Sequence, residues 1–407
     1  MRDFLKQPLN ILEYQKGLKL EKIKPFNLIY CEEDYLLSVF VEKLSQLAPL
    51  RVLWGSELDL QGFLSLLGPA ALAQALELKL EPIGTVNVSG ALSVYTIHSN
   101  NKIGEDEKKT HYDAGSAIIS LSKSAEPFGF TLIGGAYALP VVGVGLSKTS
   151  EYTDPPIPVA YVEYSPMKGL SVQAGKLPTI IGYESAFTYL NNNIQRGLVW
   201  NMQPVVNNGV RLTYTTDLFF VKLGVNDGFY TLSKKDPKPA LEASVGLTPI
   251  KDGSIALNVL LPDKNSRPNN TADPSNKREL NLVASYTLDK LSLGADLLYV
   301  EAPRSEKAGV LEKAKASGVA LHVSYDLKPF KLSGRIEYVN DNSDAGEIDL
   351  VGLGDGNKGW TFTVTPAYTK GPFFLRGELS YVKADQPFTL NGKKDQTRVG
   401  VEVGFMF

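Results

Sequence analysis

The chain has 407 residues, a net charge of −2 and a single cysteine, Cys31. That length accommodates two or three soluble domains, or one large barrel with an extra segment. The near-neutral balance gives no electrostatic footprint for a bulk nucleic-acid partner, and one cysteine excludes an internal disulfide or a cysteine metal cluster.

Residues 1–61 read as a short α/β fragment. Phe26-Asn27-Leu28-Ile29-Tyr30 has the composition of a buried strand, and Glu32, Glu33 and Asp34 suit the start of a helix. Tyr35, Leu36, Val39, Phe40, Leu44 and Leu47 follow at helical spacing, and Arg51-Val52-Leu53-Trp54 reads as a second strand. The stretches 28–37 and 52–55 resemble the opening of the clamp-loader delta subunit of bacterial DNA polymerase III, with Cys31 where that family usually has glycine. The match stops after about 60 residues, and a half domain buries too little core to stand alone. The preferred reading is a junction of two unrelated coding segments, or a misplaced start, near residues 60–66; the other is an extension in the periplasm. Residues 62–75 are apolar and end in Ala73-Gln74-Ala75, the back half of a secretory signal with cleavage after Ala75. Glu57 and Asp59 stand where such a signal carries basic residues.

From about residue 82 the pattern changes to alternating strands. Strands are expected near 85–97, 114–123, 128–137, 159–165, 169–176, 209–215, 218–226, 240–247, 255–261 and 279–288. Six more follow, and Leu291–Val300 shows their logic. Leu291, Leu293, Ala295, Leu297 and Tyr299 alternate with Ser292, Gly294 and Asp296. Successive strand side chains point to opposite faces, so one face is apolar and the other polar. The same alternation runs through Val319–Asp326, Phe330–Tyr338, Trp360–Tyr368, Phe373–Tyr381 and Arg398–Phe407.

Three features favour a membrane barrel over a soluble sandwich. The spans are about nine to eleven residues, the length that crosses a bilayer at a tilt. Aromatic residues sit at strand ends, among them Tyr299, Tyr325, Tyr338, Trp360, Tyr368, Phe373 and Tyr381, as an interfacial girdle requires. Connections alternate short and long, as in barrels with tight periplasmic turns and long external loops. No apolar run reaches the roughly 18 residues of a spanning helix. The expectation is therefore an all-β fold, a transmembrane antiparallel barrel of about 16 strands over residues 76–407, wide enough for an aqueous channel.

The inward positions carry both signs of charge: Glu163, Lys222, Glu242, Asp296, Arg335, Glu337, Arg376, Glu378, Arg398 and Glu402. These are expected to line the pore and to be kept solvated by its water. The long connection 177–208 is the constriction candidate, because loops of this length are uncommon unless functional or disordered and its aromatics argue against disorder. Glu184 and Arg196 are expected to face each other across the pore, with Arg211 and Lys176 at the same narrowing. Tyr95 and Tyr161 fit a sugar path or the girdle equally. The histidines His98, His111 and His322 are scattered and form no ligand set. No catalytic constellation, metal site or cofactor is expected.

Residues 175–184, followed by Asn201-Met202-Gln203-Pro204 and Asn208-Gly209-Val210-Arg211, resemble the OmpL-like beta-barrel porin family over residues 82–407. The terminal run ending in Phe405-Met406-Phe407 is similar to the signal by which outer-membrane barrels engage their assembly machinery. The resemblance implies a non-enzymatic diffusion channel for small hydrophilic solutes or ions in the lipid of the outer membrane. By analogy with other porins a homotrimer is expected, and nucleic acid is not expected as a partner of the barrel. The competing readings are a clamp-loader fragment and a barrel enzyme.

Overall fold

Alternation along each strand decides the architecture. In β12 (Leu291–Ala302) the even positions are buried, whereas Leu293, Leu297 and Tyr299 are exposed. A closed wall with an apolar outside and a polar inside follows. The computed structural model describes residues 76–152, 156–229, 238–250, 252–266, 274–343 and 348–407. The fragment, its clamp-loader resemblance and the signal-like segment expected for residues 1–75 lie outside the described residues.

Seventeen strands are present among the described residues. A short first strand, β1 (Leu76–Leu80), precedes the barrel. The barrel's sixteen are β2 (Gly84–Ser99), β3 (Thr110–Lys123), β4 (Phe128–Tyr137), β5 (Val159–Met167), β6 (Leu170–Pro178), β7 (Val206–Thr215), β8 (Phe219–Asn226), β9 (Ala240–Ile250), β10 (Gly253–Leu261), β11 (Arg278–Leu288), β12, β13 (Ala314–Leu327), β14 (Phe330–Asp341), β15 (Lys358–Lys370), β16 (Phe373–Ala384) and β17 (Asp395–Met406). Each pairs antiparallel with the next, and β17 returns to β2 with Val403 opposite Val94 and Met406 opposite Ala91. The ring is closed, so no edge of it meets hydrocarbon unpaired. The extra strand β1 pairs with the lower end of β2, Leu76 opposite Val88.

The turns joining β3–β4, β5–β6 and the later odd–even pairs are tight. Gly169 (φ 81°) and Asp289 (φ 52°) occupy left-handed backbone in two of them, as two-residue hairpin turns require. The opposite rim carries the long connections, which fixes it as the external side. The largest apolar cluster lies inside this external mouth. Val141 and Val142 from the 138–158 loop, Leu198, Val199 and Trp200 from the 179–205 loop, and Val351 and Leu353 from the 342–357 loop are buried together. Two short helices, α1 (Thr149–Tyr152) and α2 (Leu198–Asn201), sit in these loops.

Candidate functional site: a loop folded into the lumen

A loop inside a barrel has no neighbouring strand to satisfy its backbone. Its N–H and C=O groups must therefore find partners on the wall. The 179–205 loop solves this with the charged and amide side chains that the strands point inward. Asn281 and Asp296 accept from the N–H groups of Gly182 and Tyr183, each at 2.9 Å. Glu337 accepts from Leu198 and Val199 at the start of α2, at 3.2 and 3.1 Å. Glu378 accepts from Ile194 at 2.5 Å, from Gln195 N–H at 3.0 Å and from the Gln195 side chain at 3.0 Å. Guanidinium groups take the carbonyls: Arg335 donates to Gln195 O at 2.9 Å, and Arg376 to Asn191 O at 2.6 Å and Thr188 O at 3.1 Å. Charge-assisted bonds of this kind are about twice as strong as neutral ones. Arg376 also pairs with Glu402.

The loop also reaches the opposite side. Phe187 is buried against Tyr137 at 5.5 Å with rings edge-on, and packs with Ile118 and Val159. Tyr189, Leu190 and Tyr161 border that cluster. Burial pushes the Tyr189 hydroxyl up to about 12. The loop therefore spans from the β11–β17 wall to β3–β5. Gly294 leaves the room that the Tyr183 ring fills, and that ring lies 4.4 Å from the His322 ring.

Several expectations need correction. Arg196 does not face Glu184 across an opening. It is fully buried, donates to Ser185 O, Ala186 O and the Thr188 hydroxyl, and lies 4.9 Å from the Trp200 ring. It holds the loop's own fold, because a turn this tight leaves carbonyls that only a multidentate donor can reach together. Glu184 turns to the wall instead, pairing with Arg335 at 2.5 Å and accepting from Gly197 N–H at 2.8 Å. Lys176 does not point into the lumen. On β6 the inward set is Ser171, Gln173, Gly175 and Leu177, so Lys176 shares the outer face with Val172 and Ala174 and donates to Ile157 O. The charges expected to be solvated are mostly covered. Arg335 and Glu337 have side chains at 0% exposure, and Glu242, Asp296, Arg376, Glu378, Arg398 and Glu402 are all buried. Backbone of the 179–205 loop holds Asp296, Arg335, Glu337, Arg376 and Glu378, wall partners hold Glu242 and Glu402, and the 138–158 loop takes Arg398 through Val141 O and Val144 O.

Arg211 stands at the root of the loop. It forms a two-pronged pair with Glu242 at 2.6 and 3.2 Å and donates to Pro178 O at 2.9 Å. Asn226 donates to the same carboxylate at 2.6 Å. Arg211→Met is expected to cost about 3–5 kcal/mol in urea unfolding, since it strands a buried carboxylate. The double change Arg211→Met with Glu242→Gln should cost clearly less; equal losses would show that the pair is not the origin.

Glu163 and Lys222 face the lumen and keep part of their surface open, as do Thr131, Tyr161 and Gln173. Glu163 accepts from the Gln173 side chain at 3.1 Å. Tyr95 is buried on the inner face rather than in a girdle. Some contributors escaped sequence reading. Lys331 is inward by alternation and donates to Asn192 at 2.6 Å, a signal that was present. Glu107 lies in an external loop and reaches Arg398 at 3.4 Å, which no periodicity could reveal.

A closed antiparallel barrel of sixteen tilted strands, with short turns on one rim, long loops on the other and one loop folded inside, defines the outer-membrane porin class, and the outer membrane is its location. The chain belongs to the family described as "Putative beta-barrel porin-2, OmpL-like", which matches residues 85–407. No curated protein matches the chain. Solved structures share the fold at low identity. The outer membrane channel DcaP of Acinetobacter baumannii aligns with a TM-score of 0.55 and 14% identity over 81% of this chain and 99% of that one. OmpT of Vibrio cholerae aligns at 0.53 and 12%, over 82% and 100%. An anion-selective porin from Comamonas acidovorans aligns at 0.53 and 14%, over 79% and 99%.

Proposed function

We propose that the protein is a passive, non-enzymatic channel for small hydrophilic solutes or ions, narrowed by the 179–205 loop. The observation that supports this reading is the asymmetry of the lumen. On β11–β17 most of the inward side chains of the external half are buried, largely under this loop, while Thr131, Tyr161, Glu163, Gln173 and Lys222 on β4–β8 keep accessible surface. The path runs along that strip. Its two charges have opposite signs, so the intrinsic ion preference is weak and each charge tunes it.

Planar-bilayer recording of the refolded full chain under a salt gradient tests this. Small, stable conductance steps are expected. Lys222→Gln should move the reversal potential toward cation preference and Glu163→Gln toward anion preference. A protein that inserts as a heat-modifiable barrel but passes no current, both intact and with the loop shortened, would sink the channel reading.

The same proposal takes residues 62–75 as an export signal cut after Ala75, the preceding segment as unrelated to the channel, and Phe405 and Phe407 as the handle for the assembly machinery. A homotrimer is the proposed assembly, by analogy alone. N-terminal sequencing of protein recovered from outer membranes should begin at Leu76.

A further inference from the structure

The outer wall is not uniform around the ring. On β11–β16 a row of basic side chains crowns the external aromatic belt. Arg278, Glu301 and Lys315 are direct cross-strand neighbours on the outward face. Lys313 reaches Glu301 at 2.7 Å. Lys358 is opposite Asn340, and Lys383 is opposite Trp360 and lies 3.7 Å from Asp395. Four outward positions of this rim stand two residues beyond a belt aromatic on the same face, Glu301 beyond Tyr299, Asn340 beyond Tyr338, Lys358 beyond Trp360 and Lys383 beyond Tyr381, and Arg278 and Lys315 lie level with Glu301 as its cross-strand partners. Five basic groups against two carboxylates leave an excess of three positive charges at the height of the outer headgroups. Elsewhere on the rim, among the described residues, the matching outward positions hold side chains such as His98, Ala136, Ala160, Asn208, Val225 and Leu241, with Lys176 the exception.

A second feature lies on the same strands. A groove of about 590 Å³ opens on the apolar face of β11–β15. Ala284, Ala295 and Gly334 form its floor, and Leu321, Ile336 and Phe362 its sides. From Glu301 down to Ala295 is six residues, about 20 Å along a strand. At a tilt of about 45° that is roughly 14 Å of depth, close to half the ~30 Å hydrocarbon core. A chain hanging from the basic row therefore ends in the groove.

We propose that the outer face of β11–β16 seats a phosphate-bearing lipid of the outer leaflet, with its phosphates on the row of Arg278, Lys315, Lys358 and Lys383 and an acyl chain in the groove floored by Ala295 and Gly334. Charge complementarity selects this occupant. An anionic headgroup matches the cationic row.

The test uses the full chain in zwitterionic detergent micelles, offered bisphosphorylated lipid A, its dephosphorylated form with the same acyl chains, or inorganic phosphate, with adducts read by native mass spectrometry. The wild type should retain the bisphosphorylated lipid in preference to the dephosphorylated one. Combining Arg278→Gln, Lys315→Gln, Lys358→Gln and Lys383→Gln should weaken retention by about fivefold per charge removed, while Lys176→Gln leaves it unchanged. Heat-modifiable migration confirms that each variant is folded. Gly334→Leu adds bulk to the groove floor, where an added Cβ meets nothing nearer than 3.4 Å, and should also lower retention. Equal retention by the quadruple variant, or equal retention of the dephosphorylated lipid, overturns the proposal. Displacement by inorganic phosphate overturns the lipid as the source. An unaffected Gly334→Leu overturns the part given to the groove.

Discussion

Replacing Glu378 with alanine is expected to raise single-channel conductance several-fold and to make the current noisy. This carboxylate takes the N–H groups of Ile194 and Gln195, the Gln195 amide and the Thr365 hydroxyl. No other side chain on the wall holds as much of the loop's middle. Without it, two backbone donors are left bare in a buried place, at about 1–3 kcal/mol each. The cheapest relief is for the segment around Ile194 to leave the wall and meet water. Glu378→Gln retains one acceptor oxygen and should give an intermediate current. The change should also lower resistance to urea by about 3–5 kcal/mol. Current traces indistinguishable from wild type would show that the loop is held mainly by Glu337 and Arg376.

The second large effect is expected at the seam. Gly90 and Phe407 exchange backbone bonds at 2.8 and 3.1 Å, and the Phe407 ring lies over Gly90 on the lipid side. A side chain at position 90 would meet that ring and the carbonyl of Ile118. Gly90→Leu is therefore expected to hold β17 away from β2. An unclosed edge in hydrocarbon costs several kcal/mol per unpaired group, so the yield of heat-modifiable barrel after refolding should fall more than about tenfold. Gly90→Ala should show a smaller loss, in the range of about 1–3 kcal/mol typical of overpacking. Normal yield from Gly90→Leu would place the closing contact elsewhere along β17.

Much of the barrel was legible because its two faces meet different solvents. Leu293, Leu297 and Tyr299 read as one face and Ser292 and Asp296 as the other, and the structure keeps them apart. The strand at residues 128–137 coincides with β4, and the extra strand β1 was the strand not foreseen. Lys176 shows where residue type misleads. A lysine reads as polar and therefore inward, yet strict alternation from Val172 and Ala174 puts it outside, at a height where headgroups tolerate it. The candidate constriction was legible in its location and not in its contacts. Sequence length marks 177–208 as a long loop, but Glu184 pairs with a strand residue 151 positions away. Such a partner is set by where the chain folds back, and no local pattern records that. For the same reason the inward charges looked like channel lining when most of them are bonded to loop backbone.

The way β1 and β17 share β2 has a consequence for how the ring is measured out. They lie along one edge of β2, β17 from Ser99 to Ala91 and β1 from Val88 to Gly84. The terminal strand therefore has a stop beneath it. A slide of β17 toward the periplasm would need the backbone groups of β2 that β1 already holds. Because a slide by one residue would also turn every side chain of β17 to the wrong face, the tempting error in that direction is a slide by two, and β1 blocks it. This small hairpin acts as a gauge block for the circumference: it sets the stagger at which the first and last strands meet, and with it the tilt of the remaining strands.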